Sequence, residues 1–332
     1  MSSRDAQGPS LSDQHSRSVA ILLATYNSGG FIEEQIRSLH GNSARFTVHW
    51  LDDHSTDNTR EIVCELTVRL GLRLVAWHQP RRLGVPEVYF KLLECVVADI
   101  YLFCDHDDIW QPGKIDAAVA NLLPDVDLSA LCYSEPWVFD DGDSKNLRRY
   151  YDLKGVRAAA AQSSSRAFIL NPAVGNTVGF TRPLRELYLV HKDIAQTHAA
   201  MHDWWMYLLA LTTGNPRMLI DAPTTLYRQH RNNALGIGFG GERLSLSRVW
   251  RRLQHNRRLV ARQAAGFVLA AANMKLEPRV ERMTALALRI QLLDRKQTPA
   301  RVLSLLWRRQ LQVPWRHALL LAAISLISDS RE

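Results

Sequence analysis

Three aspartates, Asp105, Asp107 and Asp108, follow directly on an apolar stretch in the segment Phe103-Cys104-Asp105-His106-Asp107-Asp108-Ile109-Trp110. A strand that ends in carboxylates suits a hard divalent cation. Asp105 and Asp107, two apart, can turn oxygens toward one ion, which keeps its other positions for water and phosphate. The same residues could merely cap the next helix, since Asp favours that role and Pro112-Gly113 marks a turn. The other polar clusters of the chain decide between these readings.

The elements that must position them follow from hydrophobic patterning. Val19–Ala24 is a continuous apolar run, the mark of a strand covered on both faces. It ends in Thr25-Tyr26-Asn27-Ser28-Gly29-Gly30, and helical spacing follows from Phe31 to Leu39. Phe46–Leu51 reads as a second strand, ending in Asp52-Asp53-His54-Ser55, with Asp57 an N-cap for a helix over Thr59–Leu70. Leu72–Trp77 reads as a strand, Val88–Ala98 as a helix and Ile100–Phe103 as a strand. This alternation predicts a parallel, doubly wound sheet, whose ligands lie beyond the carboxyl ends of the strands. Each polar cluster falls at such an end. The glycines fit neither a dinucleotide-binding fingerprint nor a P-loop, and no nucleophile elbow stands out.

Further along, Leu131–Ser134 and Arg217–Ile220 read as strands and Gly175–Phe180 as a strand or its entry. His202-Asp203-Trp204-Trp205 precedes an apolar helix, Met206–Leu211, which Asp203 is placed to cap. Tyr227–Gly236 reads as a polar closing loop.

Together these segments resemble the inverting family 2 glycosyltransferases of the GT-A fold, above all the bacterial rhamnosyltransferase branch that builds O-antigen and related surface polysaccharides. The matching pieces are Ala24–Asn27, Glu34–Leu39, Leu51–Thr59, Arg82–Glu87, Phe103–Trp110, Gly175–Thr177, His202–Trp205 and Gln229–Asn233, in the family's order over residues 19–236. Two positions depart from the family pattern: Val88 stands where Asn is frequent, and His106 where Gln is common.

The resemblance implies an α/β GT-A fold, a doubly wound mixed sheet flanked by helices. It also implies roles. Thr25, Tyr26 and Asn27 would line the nucleotide, with Asp52 or Asp53 accepting a hydrogen bond from the imide N–H of uracil or thymine. Arg82, Asp105 and His106 complete the donor set. Asp105 and Asp107 would hold Mg²⁺ or Mn²⁺ against the pyrophosphate. Asp203 would deprotonate the acceptor hydroxyl, its pKa raised if Trp204 and Trp205 exclude water. His202 and His230, with the two tryptophans, would orient acceptor or diphosphate. One base and no evident second carboxylate nucleophile imply inversion. The implied donor is dTDP-β-L-rhamnose. A UDP-hexose donor is the rival, and a non-catalytic glycan-assembly scaffold a weaker one, since it need not keep Asp105, Asp107 and Asp203. A sugar-1-phosphate nucleotidyltransferase would want a basic, Gly-rich loop after the first strand, and Ser28-Gly29-Gly30 has no adjacent Lys or Arg.

Charge divides the chain further. Residues 243–332 carry 18 Lys and Arg against 5 Asp and Glu, with no acidic residue from Arg243 through Leu276. We therefore divide the chain into a disordered tail (1–18), a catalytic domain (19–242) and a basic helical extension (243–332), joined near a glycine-rich hinge at Gly236–Gly241. Apolar faces around Trp307 and Trp315 suit a segment lying in anionic headgroups. The longest uncharged stretch there, Ala318–Ser328, is about half the ~20 residues needed to span a bilayer. Packing on the domain or on a second subunit, as a homo-oligomer, is the competing role, and no nucleic-acid motif accompanies the charge. The four cysteines lack zinc spacing and read as reduced core residues. The expected setting is the cytoplasmic face of the inner membrane, with a lipid-linked saccharide as acceptor.

Overall fold

Strands β1 (Val19–Thr25), β2 (Thr47–Asp52), β3 (Leu74–Trp77) and β4 (Ile100–Cys104) run parallel side by side, with β1 between β4 and β2. The computed structural model describes residues 17–154, 167–214, 216–219, 225–230, 233, 246–275 and 277–294. Helices α1 (Ile32–Ser38), α2 (Thr59–Arg69) and α3 (Glu87–Cys95) make the crossovers, as the alternating pattern predicts. Asp57 lies one position before the cap residue Asn58, yet it accepts the Thr59 N–H at 3.1 Å, so it still satisfies a free donor of the first turn.

Beyond β4 come the short β5 (Ile109–Trp110), α4 (Lys114–Leu122), β6 (Leu131–Ser134), β7 (Trp137–Asp140), β8 (Asp143–Arg149) and α5 (Tyr150–Lys154). A 3₁₀ turn at Gly175–Thr177 leads into β9 (Gly179–Thr181), then α6 (Arg182–Val190), α7 (Lys192–His198) and α8 (His202–Thr213). The last described elements are β10 (Arg217–Leu219), β11 (Thr225–Gln229), α9 (Leu246–Ala271) and α10 (Pro278–Asp294). The main sheet has the order β10-β6-β9-β4-β1-β2-β3, and β9 runs antiparallel to both neighbours, so the sheet is mixed. A second sheet, β5-β11-β7-β8, holds the chain that follows the aspartates.

Alternation along the strands sorts the core into two layers. Ala20, Leu22, Tyr101, Phe103 and Tyr133 face α3, α6 and α8, whereas Ile21, Leu23, Leu102, Cys104 and Cys132 face α1, α2 and α4. Cys104 and Cys132 are the buried cysteines. Cys64 is exposed, because it points away from the buried Val63–Leu66 face of α2, so the reading of all four as core residues fails there.

Part of the basic extension belongs to this core. Ala264, Phe267, Ala270, Val280, Met283, Ala287 and Ile290 are buried with Trp205–Leu209 in one cluster. Phe267 meets Phe168 edge-on at 5.1 Å, and the Gln263 side-chain Oε1 accepts the Ala200 N–H at 2.9 Å. No helix among the described residues is long and apolar enough to cross a membrane. The tail at 1–16, the glycine-rich stretch and the Trp307 and Trp315 faces lie outside the described residues.

The contact between α7 and α9 admits no side chain at Gly266, where an added Cβ would stand 2.3 Å from the His198 Cβ. Replacing Gly266 with Ala should therefore destabilise the whole protein by about 1–3 kcal/mol through overpacking, read as a lowered Tm in a single cooperative transition. A separate early transition, with the main Tm unchanged, would show that α9 unfolds independently.

Candidate active site

The loops after β1 and β2 interlock through side chains that the sequence singled out. The Thr25 hydroxyl donates to Asp52 Oδ1 at 2.9 Å and accepts the Trp50 indole N–H at the same distance. Ser55 gives Asp52 its backbone N–H and its hydroxyl. Asn27 takes a left-handed φ of 45° and accepts the Thr56 N–H at 2.8 Å. Asp53 receives the Gln79 amide at 2.9 Å and the N–H groups of Leu83 and Gly84 at 2.6 and 2.7 Å, which ties the 79–84 loop to the end of β2. The Arg82 guanidinium lies 3.5 Å over the Tyr26 ring. Thr25, Tyr26, Asn27, Asp52, Asp53 and Arg82 thus converge on one cleft wall. Among the described residues each carboxylate accepts three hydrogen bonds, and Arg60 and Arg82 approach Asp52 and Asp53 at 3.6 and 3.9 Å.

The second wall is the turn after β4. The Tyr89 hydroxyl, from α3, donates to Asp105 Oδ1 at 2.6 Å. Burial and then the neighbouring Asp107 charge push the Asp105 carboxyl up to about 6. Asp107 is also buried, but a hydrogen bond from His230 and the nearby imidazoles outweigh that cost and hold it below the usual carboxylate range. The His230 Nε2 is 2.8 Å from Asp107 Oδ2, and its ring stacks on Phe31 at 4.6 Å. His106 follows Asp105 in this turn.

The residues present fit a divalent cation. Asp107 is buried and Asp105 half-buried, their charges raise each other's electrostatic cost, and among the described residues no donor meets Asp105 Oδ2. No group of three metal-ligating side chains forms among the described residues. The donor set therefore suits a hard ion that takes its remaining ligands from water and phosphate, as Mg²⁺ does.

Asp108 does something else. It is fully buried, accepts the Asn176 amide and, at 3.0 Å, the Arg228 N–H, and its carboxyl is driven well up by burial and by Asp107. The Arg228 side chain reaches the Asp107 carbonyl at 2.9 Å and Asp141 at 3.0 Å, and also pairs with Glu34. Arg228 and Tyr89 were not among the residues expected from sequence. A buried arginine on a short strand offers no local signal, and Tyr89 reads as one more apolar position of α3.

Asp203 sits in the first turn of α8 and is 6% exposed. Burial pushes its carboxyl up to about 7, and the Asp105 charge adds to this against hydrogen bonds from the Trp204 and Gly175 N–H groups and the Asn171 side chain. Gly175 has no room for a Cβ without crowding His202 Nε2 at 3.2 Å and Asp203 Oδ2 at 3.4 Å. The half-buried Trp204 donates its indole N–H to the Ala167 carbonyl at 2.5 Å.

Two expected contacts fall away on burial. Trp205 is 0% exposed in the core. His202 stacks 3.9 Å from the Tyr89 ring, neither ring nitrogen is hydrogen-bonded among the described residues, and burial lowers its pKa to about 3. His202 is thus a neutral, buried ring stacked beneath the site.

Comparison with known proteins agrees with this geometry. The family model "Glycosyl transferase family 2" matches residues 20–186. A dTDP-rhamnosyl transferase from Shigella flexneri, RfbG, is 29% identical over 224 residues, covering 64% of this chain and 73% of the relative. Among solved structures, S. aureus TarS in complex with UDP-GlcNAc superposes with a TM-score of 0.54 at 18% identity, covering 83% of this chain and 72% of that one. Mannosyltransferase PcManGT from Pyrobaculum calidifontis, in complex with GDP-Man and Mn²⁺, gives 0.53 at 17% identity, covering 96% and 89%.

Asp203 sets a testable stability cost. Its folded pKa of about 7 is raised above the ordinary carboxyl value of 3.8, so the folded state holds this proton more tightly than the unfolded chain. The stabilisation is complete below the unfolded pKa and is lost as pH rises through about 7. Asp203→Asn should therefore be more stable than wild type at pH 8, and the gap should close toward pH 4, as read by urea unfolding across that range.

Proposed function

We propose, starting from the fact that this chain belongs to glycosyl transferase family 2, that it transfers L-rhamnose from dTDP-β-L-rhamnose to a saccharide hydroxyl with inversion. The carrying observation is the placement of Asp203: a buried carboxyl poised near neutrality, within electrostatic reach of Asp105 and so of the diphosphate end of the donor. The choice of rhamnose is supported by the relative described as a dTDP-rhamnosyl transferase. A carboxylate at Asp52 or Asp53 accepts from uracil and thymine alike, which keeps a UDP-hexose as the second reading.

Asp105 and Asp107 would hold Mg²⁺ or Mn²⁺, which when bound neutralises charge developing on the leaving diphosphate. Thr25, Tyr26, Asn27 and Arg82 bind the nucleotide, with His106 beside the diphosphate. His230 keeps Asp107 ionised and oriented through its 2.8 Å contact. Asp203 removes the acceptor proton as the hydroxyl attacks the anomeric carbon from the face opposite the diphosphate. Trp204, held by Ala167, keeps water from Asp203.

Calorimetric titration of dTDP and UDP, with Mg²⁺, with Mn²⁺ and with EDTA, tests the donor site. Affinity should need the metal and fall sharply in Asp107→Ala; equal affinity in EDTA would sink the metal role. A panel of dTDP- and UDP-sugars followed by nucleotide release then names the donor. Asp203→Asn should lower turnover by at least ~10²-fold, the scale of a lost general base, while nucleotide affinity stays. In wild type, turnover should fall as pH drops below about 7, because only the ionised Asp203 accepts a proton.

The acceptor is proposed to be lipid-linked, reached at the cytoplasmic face of the inner membrane through the basic extension. Its excess of 18 basic over 5 acidic residues supports this, since each charge near anionic headgroups contributes about 1 kcal/mol. The protein should float with anionic vesicles at low salt, not with neutral ones, and less when Arg251, Arg252 and Arg257 are changed to Gln. Failure to float with anionic vesicles at low salt would remove the membrane role.

A further inference from the structure

Near the aspartates lie two aromatic rings that none of the roles above uses. Tyr150 opens α5 and Tyr227 stands in β11; both are half-buried, and their ring centroids are 6.4 Å apart with the planes tilted by 45°. Tyr150 lies within electrostatic reach of Asp203, and Tyr227 within reach of Asp108 and Asp105. Arg228, next to Tyr227, donates its N–H to Asp108, and Tyr151, next to Tyr150, is tied to Pro172 beside Asn171, so the pair lies between the aspartate turn and the base. Both rings are rigidly mounted. Tyr151, next to Tyr150, donates its N–H to Glu135 and its hydroxyl to the Pro172 carbonyl, each at 2.8 Å. Tyr227 is fixed in register against Val138 of β7. Burial raises both phenols, so they remain neutral and compete with Asp203 for no proton.

We propose that Tyr150 and Tyr227 form the floor of the acceptor subsite, on which a pyranose ring lies with its C–H face against the aromatics and its reacting hydroxyl toward Asp203. This rests on the glycosyl-transfer reading above. One face of a pyranose presents polarised C–H bonds, which the negative face of an aromatic ring attracts, while the hydroxyls at the rim remain free to hydrogen-bond. The geometry selects a saccharide over an acyclic or purely lipidic acceptor, because two tilted rings match a flat, puckered ring of similar breadth.

The test is saturation-transfer NMR on the full chain with dTDP and Mg²⁺ bound, using methyl glycosides of rhamnose, galactose and N-acetylglucosamine as probes and glycerol as control. In wild type, ring C–H protons of at least one glycoside should saturate more than its methoxy group, with cross-relaxation to tyrosine ring protons. Tyr150→Leu and Tyr227→Leu fill the packing but lack the flat face, and each should weaken that glycoside ~10-fold. Tyr150→Phe and Tyr227→Phe should bind like wild type, and dTDP affinity should hold in all four. No glycoside contact with tyrosine in wild type, or full affinity in both Leu variants, overturns the platform while leaving the donor reading intact. A wild-type protein that binds no nucleoside diphosphate with any metal overturns both.

Discussion

Four carboxylates gathered at one end of a sheet are the constraint around which this molecule is arranged. Asp107, Asp108 and Asp203 are buried and Asp105 is half-buried, and like charges at short range raise the cost further. The protein answers each differently. Asp108 is met by neutral donors, the Asn176 amide and the Arg228 N–H, and becomes a structural post. Asp107 has an imidazole, and Asp105 a tyrosine hydroxyl. Among the described residues Asp203 has hydrogen bonds from its own turn, Gly175 and Asn171, and no cationic partner. It is the carboxyl left closest to giving and taking a proton near neutral pH, which suits a base.

This arrangement needs the topology that departs from simple winding. A strand that merely extended the parallel sheet beyond β4 would deliver its carboxyl end to the site. The antiparallel β9 instead brings the residues just before it, Gly175 and Asn176, against Asp203 and Asp108. The small second sheet has the same logic. Pairing of β11 with β5 sets Arg228 and His230 against the aspartate turn, so the loop that could hold a cation is bound to strands on both sides. Arg185 adds a remote brace: its guanidinium caps the Leu93 and Glu94 carbonyls at the end of α3, the helix that carries Tyr89.

What the sequence disclosed and withheld follows from where the information resides. Continuous apolar runs report burial on both faces, so β1 and β4 were legible, and the polar residues at their ends marked the site. The direction of β9 was not legible, because three residues cannot encode the sense of their pairing. Tyr89, Arg228 and the displacement of His202 into the core were hidden for a related reason: each depends on contacts across a long sequence separation. His202 also shows how adjacency misleads, since neighbouring positions on a helix point about 100° apart and only Asp203 of the pair faces the cleft.

The extension resolves differently from a detachable arm. Asp203 owes its raised pKa chiefly to burial, and that burial is enforced from behind by Trp205 and Met206, which pack in one cluster with Ala264, Phe267 and Met283 of α9 and α10. Gln263 further fixes Ala200, three residues before Asp203. The basic extension therefore helps set the proton affinity of the base as well as the net charge of the surface. The packed side chains between α9 and the start of α8 leave little slack, as the exclusion of a Cβ at Gly266 demonstrates. Charge at the periphery and protonation at the centre are thus joined by one hydrophobic contact layer.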